Sequence, residues 1–190
     1  MKILSIIGRP GSGKGTQVDL LSKKTGFGVI RTGELLREKA KDNDFVGKKI
    51  KQVFRHGGLI PTPIVFSLWM PKLEEFRESN VKGVIFDGNP RKLYEAYMLQ
   101  EVFDMFEWSN FLACYIHISE EESSLRLAKR KRGDDSGAKE RLSWFKTEVV
   151  PVIEYYRKRE LLVEVNGEQS IKEVQEELNK KISDFLYDTD

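Results

Sequence analysis

The run Gly8-Arg9-Pro10-Gly11-Ser12-Gly13-Lys14-Gly15-Thr16 constrains this chain more than any other. It follows the apolar stretch Ile3-Leu4-Ser5-Ile6-Ile7 and precedes Gln17-Val18-Asp19-Leu20-Leu21, which reads as a helix. Strand, glycine loop and helix in that order are the context of a phosphate-binding loop. The glycines let backbone N–H groups turn inward around an anion, and the helix N-terminus adds partial positive charge behind them. Lys14 then reaches the outer phosphates as a point charge. Gly8, Gly13 and Lys14 meet the pattern G-x-x-x-x-G-K, but Gly15 fills the slot that usually holds the Mg²⁺-ligating hydroxyl. Thr16, one place later, is better set for a phosphate oxygen. Mg²⁺ is then held through water or by another residue.

The 190 residues suit one domain, and the 39% hydrophobic content can fill its core. A net charge of +2 argues against a protein that coats nucleic acid or lies on a membrane surface. The single Cys114, inside an apolar run, is expected to be a reduced core residue, so neither a disulfide framework nor a cysteine zinc site is expected. No signal segment precedes the first strand, and no apolar run approaches the roughly 18 residues of a membrane span. The expected compartment is the cytoplasm.

Strand-like runs fall at residues 2–7, 28–31, 83–86, 111–118 and 161–165, separated by helical stretches. That alternation predicts an α/β fold: five strands in a mainly parallel sheet flanked by helices. Ligands on such sheets bind beyond the carboxyl ends of the strands. The loop after Ile7, the turn after Arg31 and residues 87–91 all fall at that edge. Residues 38–76 read as a helical insert broken by His56-Gly57-Gly58-Leu59-Ile60-Pro61-Thr62-Pro63, a plausible moving flap with His56 at a surface helix end. Residues 170–186 place Ile171, Val174, Leu178, Ile182 and Phe185 on one helix face, and residues 187–190 are expected to fray.

Thr32 is placed to cap the helix carrying Arg37, which either points back at the site or is solvated. Asp87, ending an apolar strand, is either a helix cap or an acid assisting Mg²⁺; beside a phosphate loop the second is the better reading. Gly88-Asn89-Pro90-Arg91 then presents Arg91. The densest positive stretch is 126–132. Such a run is usually a solvated face. Here Arg126 and Arg130 share a helix face, Arg132 follows on the loop and Arg141 lies on the next helix. Four arginines can thus converge on one highly charged anion, as a transferring phosphoryl group requires. Asp134 and Asp135 are placed either to latch that loop or to hold the arginines in position.

The chain resembles the adenylate kinase family of nucleoside monophosphate kinases. The matching segments are Gly8 through Gln17, Thr32-Gly33-Glu34-Leu35-Leu36-Arg37, Gly58-Leu59-Ile60-Pro61, Asp87-Gly88-Asn89-Pro90-Arg91 and Arg132-Gly133-Asp134-Asp135. Their order and spacing match over essentially the whole length. The resemblance implies a P-loop NTPase fold with core 1–31, 63–130 and 138–190, a helical acceptor-binding insert at 32–62 and a short lid at 131–137. It implies transfer of the γ-phosphoryl group of MgATP to a nucleoside monophosphate, AMP first, by a monomer. Gly11, Ser12, Gly13, Lys14, Gly15, Thr16, Arg126 and Arg130 would hold ATP. Thr32, Gly33, Arg37, Leu59, Ile60, Gly88, Arg91, Glu95, Arg132 and Arg141 would hold the acceptor. Lys14, Arg91, Arg126, Arg132 and Arg141 would act on the transferring group. Asp87 would orient hydrated Mg²⁺, and the main chain at 166–170 would lie near the ATP adenine.

Three departures accompany the resemblance. The lid is nearly absent. Asn89 stands where the family usually has an aromatic residue. Glu95 replaces the usual Gln facing the acceptor base. An ionised Glu offers acceptors only, which matches the N1–H and N2–H₂ of guanine better than the N1/N6 edge of adenine. GMP or dGMP is therefore the alternative acceptor, and an ATP-binding regulatory module without transfer is the alternative of another class. The paired sites for two phosphates argue against the latter.

Overall fold

The computed structural model describes residues 1–129 and 138–187. In chain order the elements are β1 (Lys2–Gly8), α1 (Lys14–Thr25), β2 (Gly28–Ile30), α2 (Thr32–Lys39), α3 (Phe45–Arg55), α4 (Thr62–Glu78), β3 (Gly83–Asp87) and α5 (Leu93–Met105). There follow β4 (Asn110–His117), α6 (Glu120–Lys129), α7 (Ala138–Trp144), a π-helical turn (Phe145–Val149), α8 (Val150–Arg157), β5 (Leu162–Asn166), α9 (Ile171–Lys181) and α10 (Ser183–Tyr187). The five strands form one sheet in the order β2-β3-β1-β4-β5, every pair parallel. This is the expected P-loop NTPase architecture, and each strand lies within two residues of its expected ends.

β1 is apolar throughout because it is central and covered on both faces. Ile3 and Ile7 enter one core layer, with Trp69, Phe86, Phe103 and Phe145. Leu4 and Ile6 enter the other, with Val18, Leu21, Leu178 and Ile182. The period of two in the pleat thus splits one apolar run between two cores. Ser5 faces the first layer, where its hydroxyl donates to the carbonyl of Asn89. A polar residue in the central strand therefore anchors the loop after β3.

Two expectations are corrected. Thr32 does not cap α2: Arg31 occupies the N-cap, and the Thr32 hydroxyl accepts the indole N–H of Trp69 at 2.8 Å. Burial gave that hydroxyl a stronger claimant than the exposed backbone of its own helix. The C-terminal helix is not continuous but ends at the cap Ile182 before α10 begins at Ser183. Val174, Leu178 and Ile182 are buried as expected, whereas Ile171, in the first turn beyond the sheet edge, is exposed. The expected latch Asp134 and Asp135 lies outside the described residues, as do residues 188–190. Cys114 is a free, buried thiol, and burial raises its pKa far above the ordinary value.

Candidate active site

Three glycines shape the loop between β1 and α1. A Cβ on Gly8 would stand 2.5 Å from the Ile116 carbonyl oxygen, so no side chain fits where β1 passes β4. Gly11 and Gly13 take φ near +83° and +86°, the left-handed region that glycine enters without strain. The loop is braced by α6: the Ser123 hydroxyl donates to the Pro10 carbonyl at 2.6 Å, and Arg126 Nη1 lies 3.4 Å from the Gly11 carbonyl. Arg126 also donates to Glu122 Oε1 at 2.6 Å. Arg126 thus stands beside the phosphate loop, as expected.

Lys14 opens α1 and bends back under the loop, donating to the carbonyls of Gly8 at 2.7 Å and Arg9 at 2.8 Å. Burial holds its pKa down to about 8; Asp87 opposes that shift and Arg91 adds to it. Asp87, the last residue of β3, is at the level of Ile6 in the sheet register. Its Oδ2 lies 3.7 Å from the point where a Cβ on Gly15 would stand. The carboxylate thus faces the slot that lacks a hydroxyl. Among the described residues no cluster of three or more His, Cys, Asp or Glu side chains could enclose a metal. One carboxylate beside a phosphate loop nevertheless suits Mg²⁺, which keeps several waters and takes its remaining ligands from substrate phosphates.

The turn after β3 joins this side of the site to a second. A Cβ on Gly88 would lie 3.4 Å from Lys14 Cε and 3.8 Å from Arg91 Nη2. Arg91 is held by its own loop, Nε donating to the Gly88 carbonyl at 3.1 Å, and its guanidinium lies 5.6 Å from the Trp144 ring centroid. Burial is the largest influence on Arg91 and lowers its pKa; Glu95 and Asp87 oppose this, while Arg141 and Arg37 add to it. Arg37, Arg91 and Arg141, from α2, the β3 turn and α7, therefore share one electrostatic neighbourhood. The exposed Arg37 folds back along its helix, with Nη1 3.3 Å from where a Cβ on Gly33 would stand.

Beside Arg91 opens a small cleft lined by Thr32, Leu36, Phe54, Gly58, Leu59, Ile60, Val65, Asn89, Arg91 and Glu95. Five of the expected acceptor residues (Thr32, Leu59, Ile60, Arg91 and Glu95) meet there, while Gly33 lies beside the Arg37 guanidinium instead. Glu95 is buried, and its Oε2 accepts the Arg91 backbone N–H at 2.7 Å and Asn89 Nδ2 at 3.4 Å. Glu95 thus lines the cleft and is not turned out to solvent. Arg130 and Arg132 lie outside the described residues. At the other end of the sheet edge, Gly167 N–H bonds the His117 carbonyl at 2.8 Å and Glu168 Oε1 accepts the Ser119 N–H at 2.7 Å. The segment 166–170 is thereby tied to the strand ends on the phosphate-loop side.

Trp144 was not legible as a site residue. Its indole N–H donates to the Gly57 carbonyl at 2.8 Å, joining α7 to the break in the insert while its ring lies by Arg91. Only its position three residues after Arg141 hinted at this. Arg9, inside the loop, also goes elsewhere: its guanidinium carbon lies 4.7 Å from the Phe145 ring centroid.

The family model described as "Adenylate kinase" matches residues 6–161. The adenylate kinase of Prochlorococcus marinus strain SARG is 33% identical over 182 residues, covering 95% of this chain and 98% of that one. That of Azobacteroides pseudotrichonymphae is 34% identical over 189 residues, covering 96% and 98%. Adenylate kinase isoenzyme 1 of Caenorhabditis elegans is 31% identical over 178 residues, covering 90% and 83%.

Proposed function

This chain belongs to the adenylate kinase family, and from that premise we propose how its residues carry out the phosphoryl transfer ATP + AMP ⇌ 2 ADP. ATP is the donor, and AMP is favoured over a guanine nucleotide as the acceptor by the similarity to adenylate kinases along nearly the whole chain. One observation carries the division of roles: Gly88 lies between the phosphate-loop lysine, Lys14, and Arg91, so that a Cβ there would stand less than 4 Å from either side chain. Two nucleotides bound from the two sides then meet with their phosphates end to end.

In this reading the loop from Gly11 to Thr16, with Lys14 and Arg126, holds the ATP phosphates. Arg37, Arg91 and Arg141 hold the AMP phosphate, and the cavity from Thr32 to Glu95 receives the base. An oxygen of the AMP phosphate attacks the γ-phosphorus in line with the departing ADP oxygen. That oxygen is already anionic, so no general base is required. The rate comes from positioning and from cationic stabilisation of the equatorial oxygens. Mg²⁺, when bound, neutralises charge on the donor phosphates, and Asp87 would hold it through water. Arg130 and Arg132, on the lid side, complete the cationic set by their matching motif positions. Closure of the insert 32–62 over AMP would exclude the water that otherwise hydrolyses ATP. We place the enzyme in the cytoplasm as a monomer. The buried free thiol of Cys114 is compatible with a reducing compartment, and no helix among the described residues is long and apolar enough to cross a membrane.

The test is ADP formation from MgATP with AMP, GMP, dAMP, dGMP, CMP and UMP in parallel, with Lys14→Met as control. AMP is expected to be used far faster than the others, and the control to lose nearly all activity. A faster reaction with GMP or dGMP would overturn the choice of acceptor. ATP binding without transfer to any monophosphate would overturn the kinase reading in favour of a regulatory module.

A further inference from the structure

We propose that Asn89 is a specificity-determining residue of the acceptor pocket, presenting with Glu95 a pair of hydrogen-bond acceptors to the 6-amino group of AMP. This rests on the pocket reading above and deepens it. Asn89 is 1% exposed and Glu95 2% exposed, yet both line the cavity. Asn89 Oδ1 is buried and has no partner among the described residues. An orphaned buried acceptor costs about 1–3 kcal/mol, and proteins rarely leave one unless a ligand or water completes it.

The side chain is held in place from two sides. Its backbone carbonyl accepts the Ser5 hydroxyl of the central strand, and its Nδ2 points to Glu95 Oε2 at 3.4 Å. One amide N–H is directed at Glu95, and the amide oxygen is the buried atom without a partner, free to accept from a ligand. Glu95 is held in the same way: Oε2 accepts the Arg91 N–H at 2.7 Å as well as Asn89 Nδ2. No described residue donates to its Oε1. The pair therefore leaves two acceptors, one on each residue. The other polar side chains in the wall are Arg91 and Thr32; the Thr32 hydroxyl accepts from Trp69 and keeps its own proton to donate.

An exocyclic amine carries two N–H donors and satisfies two acceptors at once, as the 6-amino group of adenine does. A 6-oxo base, guanine or hypoxanthine, would set its own acceptor against both. A carboxylate at residue 95 is thus compatible with AMP when the amine is read rather than the N1 edge. Asn89 supplies the acceptor that an aromatic residue at its position lacks.

The experiment compares kcat/KM for AMP, for purine riboside 5′-monophosphate, which lacks the amine, and for IMP, in the unsubstituted protein and in Asn89→Leu. The unsubstituted protein is expected to prefer AMP over purine riboside 5′-monophosphate by about 10- to 100-fold, the equivalent of about 1.4–2.7 kcal/mol. In Asn89→Leu that preference should fall about tenfold, with KM for ATP unchanged. An unchanged preference in Asn89→Leu overturns the inference. So does a preference below about threefold in the unsubstituted protein, a measurement that needs no variant and stands even if Asn89→Leu fails to fold. Arg37→Met and Thr32→Val separate this failure from failure of the pocket itself. If they raise KM for AMP while Asn89→Leu leaves the preference unchanged, the pocket stands and the role of Asn89 falls. If neither raises it, the pocket reading falls too.

Discussion

Lys14 shows how one side chain can be both strained and ready. Its ammonium rests on two carbonyls of its own loop, and burial holds its pKa to about 8 against an ordinary 10.5. Between those two values the unfolded chain binds more protons than the folded one. Stability from this group therefore rises with pH across that window, and below pH 8 the buried charge is a burden. Bound phosphates supply the counter-charge and raise the pKa again. ATP binding at pH 8.5 should accordingly take up part of a proton, since burial leaves the lysine partly deprotonated there. Calorimetry in buffers of differing ionisation enthalpy measures this. Uptake that persists in Lys14→Met would assign the proton elsewhere. Glu95 shows a different economy. Its position four residues after Arg91 marked it as a base reader, yet one of its oxygens caps the backbone N–H of Arg91. A carboxylate in the first turn of α5 is also favoured by the helix dipole. The side chain therefore serves the helix and the pocket together, and only its contacts reveal the first duty.

At the scale of elements, the site depends on contacts between pieces distant in sequence. α6 braces the phosphate loop through Ser123 and Arg126, more than 110 positions away. α7 reaches the insert through Trp144, whose N–H meets the Gly57 carbonyl 87 positions earlier. This bond ties the break in the insert to the helix that carries Arg141, so it should favour the arrangement in which the acceptor pocket and the arginines face one another. Trp144→Phe keeps a ring by Arg91 and removes the donor. A hydrogen bond of this kind is worth about 0.5–1.5 kcal/mol. KM for AMP should therefore rise about two- to tenfold while KM for ATP holds. Steady-state kinetics with each substrate varied in turn would show it, and an equal rise in both constants would mean that Trp144 merely supports the fold. The strands could be anticipated because a central parallel strand is apolar on both faces. Helix ends were less legible: the Thr32 hydroxyl went to Trp69 and α9 stopped at Ile182, choices made by buried partners rather than by local pattern.

For the molecule as a whole, the strand order places β1 between β3 and β4, so the phosphate loop opens between the crossovers to either side. In the proposed division of roles, one nucleotide lies over β1 and β4 and the other over β3 and β2. Each site should then stabilise the protein separately. A ligand at a hundred times its Kd adds about 2.7 kcal/mol, which is about 5–10 °C in Tm for a chain of this length. In thermal melts, ATP and AMP should each raise Tm, and Lys14→Met should lose the ATP increment while keeping most of the AMP increment. Loss of both together would indicate a single shared site.

The one-dimensional text was enough for the phosphate loop, the parallel sheet and the family, because each rests on short-range physics. Glycines turn a loop, apolar runs make central strands, and ordered motifs persist along the chain. The text also nominated Lys14, Arg37, Asp87, Arg91 and Arg141. Folding decided which of these meet, as Lys14 and Arg91 do at Gly88, and it added partners that no spacing predicts: Ser5 beneath Asn89, Trp69 on Thr32, Trp144 on Gly57. A side chain's hydrogen-bond partner is chosen by which polar groups are buried together, and burial is a property of the packed chain, not of its local sequence.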